Sequence, residues 1–125
     1  ERDGILSGLM ILDMLIKTRK TVSELLDMLA AKVGPHYYDR WDLNFDPQNR
    51  DVILDRLKNL NPVTLGDKSV DSIDTRDGFR YILESGHWVL IRFSGTEPLV
   101  RIYAEGESPE HVQTLLRETR RIAGI

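Results

Sequence analysis

From Ile5 to Ile16 nine of twelve residues are apolar, and only Ser7, Gly8 and Asp13 interrupt the run. Ile5, Leu9, Leu12 and Ile16 recur at helical spacing, while Leu6, Met10, Ile11, Met14 and Leu15 fill the remaining faces. A helix apolar nearly all round demands burial on several sides at once. It is too short for a bilayer, which needs about 20 apolar residues, and too apolar for the surface of a small protein. Two placements satisfy it: the interior of a larger protein of which this chain is a fragment, or the centre of this domain's own core. The start at Glu1, without an initiator methionine, fits the fragment.

Thr21 and Glu24 then stand at capping-box spacing, where hydroxyl and carboxylate each satisfy an exposed amide of the first helical turn. Val22, Leu25, Leu26, Leu29 and Val33 form the apolar stripe of this second helix, and Gly34-Pro35 ends it. Tyr37, Trp41, Leu43 and Phe45 alternate with Tyr38, Arg40, Asp42 and Asn44, but Asp39 breaks the apolar side. Residues 36–45 therefore read as an extended connector. Asp46 caps a third helix, with Pro47 at its first position and Val52, Ile53, Leu57 and Leu60 facing inward.

Beyond Gly66-Asp67 the period changes. Short strands around Val70–Asp74, Phe79–Glu84, Trp88–Phe93 and Leu99–Glu105 are joined by links too brief for parallel pairing. Ser108 caps the last helix and Pro109 begins it; Val112, Leu115, Leu116, Thr119 and Ile122 turn inward. The fold class expected is α+β: a four-stranded antiparallel sheet with two helices packed on one face, preceded by two helices from the end of a previous domain. The expected division is 1–45 for those helices plus the connector, and 46–125 for the module.

A chain of 125 residues holds one ordinary domain, or a small domain plus a piece of another. Lys plus Arg number 17 against 20 Asp plus Glu, a net charge of −3. That balance offers no basic excess for nucleic acid or an anionic membrane, so any anion must be met by a local cluster. The absence of cysteine removes disulfides, thiolate nucleophiles and Cys-based zinc sites, and fits a reducing, cytoplasmic setting.

One loop carries chemistry: Arg92-Phe93-Ser94-Gly95-Thr96-Glu97-Pro98. A guanidinium presents paired donors to two oxygens of a phosphate monoester, and Ser94 and Thr96 add hydroxyls. Gly95 lets backbone amides approach without a Cβ, and Pro98 restricts the loop's exit. Hydrogen bonds to a charged group contribute about 1.5–3 kcal/mol each. Two or three net contacts would give roughly 4–6 kcal/mol, near-millimolar binding, enough to grasp one end of a substrate. The same Ser-Gly-Thr is also ordinary hairpin chemistry, and composition alone leaves both readings standing.

The uninterrupted string Arg92-Phe93-Ser94-Gly95-Thr96-Glu97-Pro98-Leu99-Val100-Arg101-Ile102-Tyr103 closely resembles the phosphate-binding loop of the α-D-phosphohexomutases. These are the phosphoglucomutases, phosphomannomutases and phosphoglucosamine mutases. Asp3-Gly4-Ile5-Leu6 resembles the end of that family's third domain, so the likeness runs the whole chain in register. It implies a four-domain mutase interconverting hexose 1- and 6-phosphates through a phosphoserine and a bisphosphate intermediate. This part would bind the non-transferred phosphate. Arg92, Ser94, Gly95 and Thr96 are the implied binding residues, with Glu97 and Arg101 as loop and strand supports. Phe93 departs from the smaller or cyclic residue often found there. Implied partners are a phosphohexose and the other three domains of the polypeptide, with no nucleic acid and no membrane.

The chain contains no Thr-x-Ser-His-Asn-Pro phosphoserine segment, no Asp-Gly-Asp loop for the Mg²⁺ of the full-length enzyme, and no Gly-Glu-x-Ser-Gly sugar loop. These residues alone are therefore expected to be inactive, to contain no catalytic residue and to bind no metal. His36, His87 and His111 fall on three separate elements and read as unconnected. Asp39, Asp42 and Asp46 read as polar edge residues rather than cation ligands, and Trp41 and Trp88 as core residues rather than sugar platforms. Two further readings stand beside the main one. One is a phosphoglucosamine mutase; the other is a non-enzymatic module binding a sugar phosphate or a protein partner.

Overall fold

A computed structural model describes residues 3–125; Glu1 and Arg2, which head the segment expected to come from a preceding domain, lie outside the described residues. The chain divides into two compact units, Glu1–Pro35 and His36–Ile125.

The first unit holds helices α1 (Gly4–Thr18) and α2 (Val22–Val33). The Asp3 side chain caps α1 by accepting the Leu6 N–H at 2.9 Å. The capping box of α2 is complete: Glu24 N–H donates to Thr21 Oγ1 at 3.3 Å, and Thr21 N–H donates to Glu24 Oε2 at 2.7 Å. That backbone donation, reinforced by the Thr21 hydroxyl, holds the Glu24 carboxyl below its usual range. Local chemistry is thus satisfied, but burial is not. Neither helix buries a single residue, and Ile5 is 81% and Leu26 60% exposed. An apolar concavity of about 360 Å³ opens among Ile11, Met14, Val22, Leu25 and Leu29.

The second unit runs β1 (Tyr37–Asn44), a 3₁₀ turn (Pro47–Asn49), α3 (Arg50–Lys58), β2 (Thr64–Leu65), β3 (Lys68–Asp74), β4 (Phe79–Leu83), β5 (Trp88–Phe93), β6 (Leu99–Gly106) and α4 (Pro109–Ala123). The class is α+β as expected, but the sheet has six strands rather than four, in the order β1-β6-β5-β4-β3-β2, all antiparallel. One addition is β1, expected as a connector, which pairs along its whole length with β6, from Tyr37↔Gly106 to Asn44↔Leu99. Asp39, the residue that broke the alternation, does face α4. Its carboxylate accepts from Gln113 Nε2 at 2.7 Å and from the Arg40 N–H at 2.7 Å, so the buried-side charge is satisfied. The other addition is β2, two residues long, paired with Lys68 and Ser69.

The core lies between the sheet and helices α3 and α4. Tyr81, Leu83, Val89, Ile91, Val100, Ile102 and Ala104 meet Val112, Leu115 and Leu116 of α4 and Ile53 and Leu57 of α3. Ser108 and Pro109 begin α4 as expected, with Ser108 Oγ accepting the His111 N–H at 3.1 Å. Val52 departs from expectation: it is 60% exposed, because α3 is short and turns only its Ile53–Leu57 edge inward. The β3–β4 turn requires glycine at Gly78, where φ is +111° and a Cβ would sit 2.5 Å from the Ile91 carbonyl oxygen. Tyr81 is fully buried, its hydroxyl has no partner among the described residues, and burial pushes its phenol up to about 12. Among the described residues no helix is long and apolar enough to cross a membrane.

Candidate functional site

The last pair of the β5–β6 ladder is Phe93↔Val100, and the chain between them must turn back on itself. Ser94 N–H donates to the Leu99 carbonyl at 2.9 Å and Leu99 N–H to the Glu97 carbonyl at 2.8 Å, which closes residues 94–98 into a tight bend. Thr96 N–H points back at Ser94 Oγ, 3.5 Å away. A third strand steadies the bend: Phe45 N–H, just past β1, donates to the Pro98 carbonyl at 3.2 Å. Ser94 is buried, while Gly95 and Thr96 are exposed. A Cβ at Gly95 would meet nothing within 4 Å, so glycine leaves the bend's outer face open rather than relieving a clash.

This bend forms one wall of a concavity of about 280 Å³ lined by Ser94–Pro98, Phe45, Pro47 and Arg50. Of the residues singled out from sequence, Ser94, Gly95, Thr96 and Glu97 meet there. Arg92 and Arg101 do not line it. They are direct cross-strand partners on the face opposite the buried pair Ile91↔Ile102. Like charges directly opposite repel, and each guanidinium has a carboxylate to offset this. Arg92 Nε lies 3.4 Å from Asp77, and Arg101 lies 3.5 Å from Asp42 and 3.6 Å from Glu97. Beyond Asp77, Arg76 forks onto both oxygens of Asp74 at 2.7–3.1 Å. Those bonds hold the Asp74 carboxyl at about 2, against an ordinary 3.8.

The cation that does line the concavity is Arg50, the first residue of α3, which the loop motif could not announce. Its guanidinium carbon sits 4.8 Å from the centroid of the Phe93 ring, and Phe45 meets that ring edge-on at 5.6 Å. Among the described residues Arg50 has no ion-pair partner.

Two of the histidines expected to stand apart come together. His87 and His111 rings meet edge-on at 5.9 Å, and with Glu107 their ligand atoms lie within 4.8 Å of one another. Glu107 N–H donates to His111 Nδ1 at 3.3 Å, and His111 Nε2 is buried with no hydrogen-bond partner among the described residues. The Lys68 ammonium lies 3.6 Å from the Glu107 carboxylate. His36 stands elsewhere, 3.0 Å from Glu105. Asp39, Asp42 and Asp46 do not converge: the first bonds Gln113, the second lies 2.8 Å from Arg40, and the third caps the 3₁₀ turn. Trp41 packs on the core, whereas half-buried Trp88 carries the Arg80 guanidinium 4.7 Å from its ring.

Comparison with known proteins adds four findings. The family profile described as "Phosphoglucomutase/phosphomannomutase, C-terminal domain" matches residues 43–122. A phosphoglucomutase/phosphomannomutase of Thermococcus kodakarensis is 35% identical over 115 residues, covering 92% of this chain and 23% of that protein. A phosphoglucosamine mutase of Methanococcus aeolicus is 35% identical over 116 residues, covering 93% of this chain and 24% of that protein. The chain thus spans about a quarter of the length of the curated relatives it matches. The fold is similar to that of a phosphoglucomutase/phosphomannomutase family protein from Burkholderia thailandensis, with TM-score 0.54 and 22% identity over 76% of this chain and 19% of that one.

Proposed function

This chain belongs to the phosphoglucomutase/phosphomannomutase family and carries its C-terminal domain, and from that premise we propose that it works as the phosphate-gripping part of a cytoplasmic hexose-phosphate mutase. The whole enzyme interconverts sugar 1-phosphates and 6-phosphates through a phosphoserine and a bisphosphate intermediate. Ser94, Gly95 and Thr96, with Arg92, hold whichever phosphate is not being transferred. The observation that carries this reading is the bend itself: two hydroxyls, an open glycine and exposed backbone beside a cation-lined hollow of about 280 Å³.

Arg92, whose strand position faces away from the hollow, joins this grip by leaving Asp77 and reaching round the end of β5. The pair is half exposed and 3.4 Å long, the kind of contact that contributes about 0–1 kcal/mol, so a phosphate dianion displaces the carboxylate at little cost. Glu97 and Arg101 hold the bend's shape, with Arg101 anchored on Asp42. A grip that touches only the idle phosphate serves both isomers, so either end of the sugar can face the chemistry. Mg²⁺ finds no Asp-Gly-Asp loop in these residues, and no step here depends on it.

The exposed faces of α1 and α2 are those of helices that close a preceding domain, with residues upstream as their cover. Partners are therefore the phosphohexose and the other three domains of the same polypeptide. Glucosamine phosphates form the second substrate reading, because the Methanococcus aeolicus relative is as similar as the Thermococcus kodakarensis one. The test is a coupled assay of the full-length enzyme on glucose, mannose and glucosamine 1-phosphates, with Arg92→Ala alongside. Turnover of at least one sugar, with kcat/KM falling about 100-fold in Arg92→Ala for both isomers, is the expected result. No isomerisation of any of the three would defeat the assignment.

A further inference from the structure

We propose that Arg50 is a phosphate ligand of this site, held ready by Phe93, and that it sets how tightly the bend binds. The inference rests on the phosphate-gripping role given above and adds a residue outside the loop motif. Arg50 shares the concavity with Ser94, Gly95 and Thr96, whereas Arg92 and Arg101 project from the sheet beside carboxylates. Among the described residues Arg50 has no anionic partner that a ligand must displace. The guanidinium carbon lies over the Phe93 ring, 4.8 Å from its centroid, a cation–π contact that holds the group beside the bend. A guanidinium carries five N–H donors in a fixed fork, which with no carboxylate beside them can meet phosphate oxygens. Phe45, edge-on to Phe93 at 5.6 Å, fixes the platform in turn. The aromatic residue at position 93, a departure from the pattern the loop resembles, thereby acquires a reason: it orders a long side chain before the ligand arrives, which lowers the entropy cost of binding.

The experiment titrates inorganic phosphate, and separately glucose 6-phosphate, into the isotope-labelled 125-residue chain and follows the amides of Ser94, Gly95 and Thr96. Arg50→Ala should raise the apparent Kd about tenfold or more, and Arg50→Lys by a smaller factor, because lysine keeps the charge but loses the paired donors. Phe93→Leu, which keeps apolar bulk but loses the ring face, should weaken binding about threefold in the parent chain and add nothing in the Arg50→Ala background. Amide spectra of each variant report that the fold is intact. Binding unchanged in Arg50→Ala, with the three amides still responding, overturns the role of Arg50 and leaves the grip standing. An equal Phe93→Leu effect in both backgrounds overturns the cation–π argument. Three silent amides in the parent chain defeat the grip itself and Arg50 with it.

Discussion

The two units obey the same local rules and end in opposite states. In α2 a complete capping box, and in α1 an aspartate cap, satisfy the first-turn amides as well as anything in the rest of the chain. Yet not one residue of either helix is buried, while α4, capped by Ser108 in the same manner, buries Val112, Leu115, Leu116 and Thr119. Caps decide where a helix begins; only a facing surface decides whether it is held. In α1 and α2 the caps are made and the apolar faces stay exposed.

The contrast can be broken by mutation. Leu115→Ala should destabilise the second unit by about 2–5 kcal/mol, whereas Leu9→Ala on exposed α1 should stay within about 0.5 kcal/mol. Both tryptophans, Trp41 and Trp88, lie in His36–Ile125, so fluorescence-monitored denaturation reads that unit selectively. Equal losses would erase the distinction. Thr21→Ala should cost about 1 kcal/mol, confined to α2. Amide exchange at the start of that helix should speed several-fold while the tryptophan midpoint stays put; a shifted midpoint would mean the two units unfold together.

The smallest effect sharpens the electrostatics of the second unit. Asp74 should titrate at about 2 by carboxyl-carbon NMR, and Arg76→Ala should return its midpoint toward 3.8. Because the folded-state value is depressed, the pair's contribution is present above the ordinary 3.8 and disappears as pH falls through about 2. Arg76 is almost fully exposed, so solvent screens the pair and the titration midpoint moves far more than the stability does.

The sequence pattern located what depends on neighbours along the chain. Strands β3 to β6, the Thr21–Glu24 box and the Ser108-Pro109 start of α4 all stand where periodicity and capping chemistry put them. What it hid depends on residues far away. Asp39 disguised β1 as a connector because its partner, Gln113, is 74 positions on. Thr64–Leu65 is too short to show an alternation at all. At the candidate site the motif grouped Arg92 with Ser94 and Thr96 by adjacency. Strand alternation instead turns Arg92 to the opposite face of the sheet from Phe93 and its partner Arg50, 43 positions earlier. A loop motif reports what is contiguous; a binding hollow collects what the fold brings round to it.

The pairing of β1 with β6 has a mechanical consequence. Residue 36 enters one end of an antiparallel seam whose far end, Asn44↔Leu99 and the Phe45–Pro98 bond, adjoins the bend at 94–98. Bonds in such a seam lie across the direction of pull, so tension applied at the entry loads them all together rather than peeling them one by one. Tension directed along β1 is therefore passed to the bend through the whole seam at once.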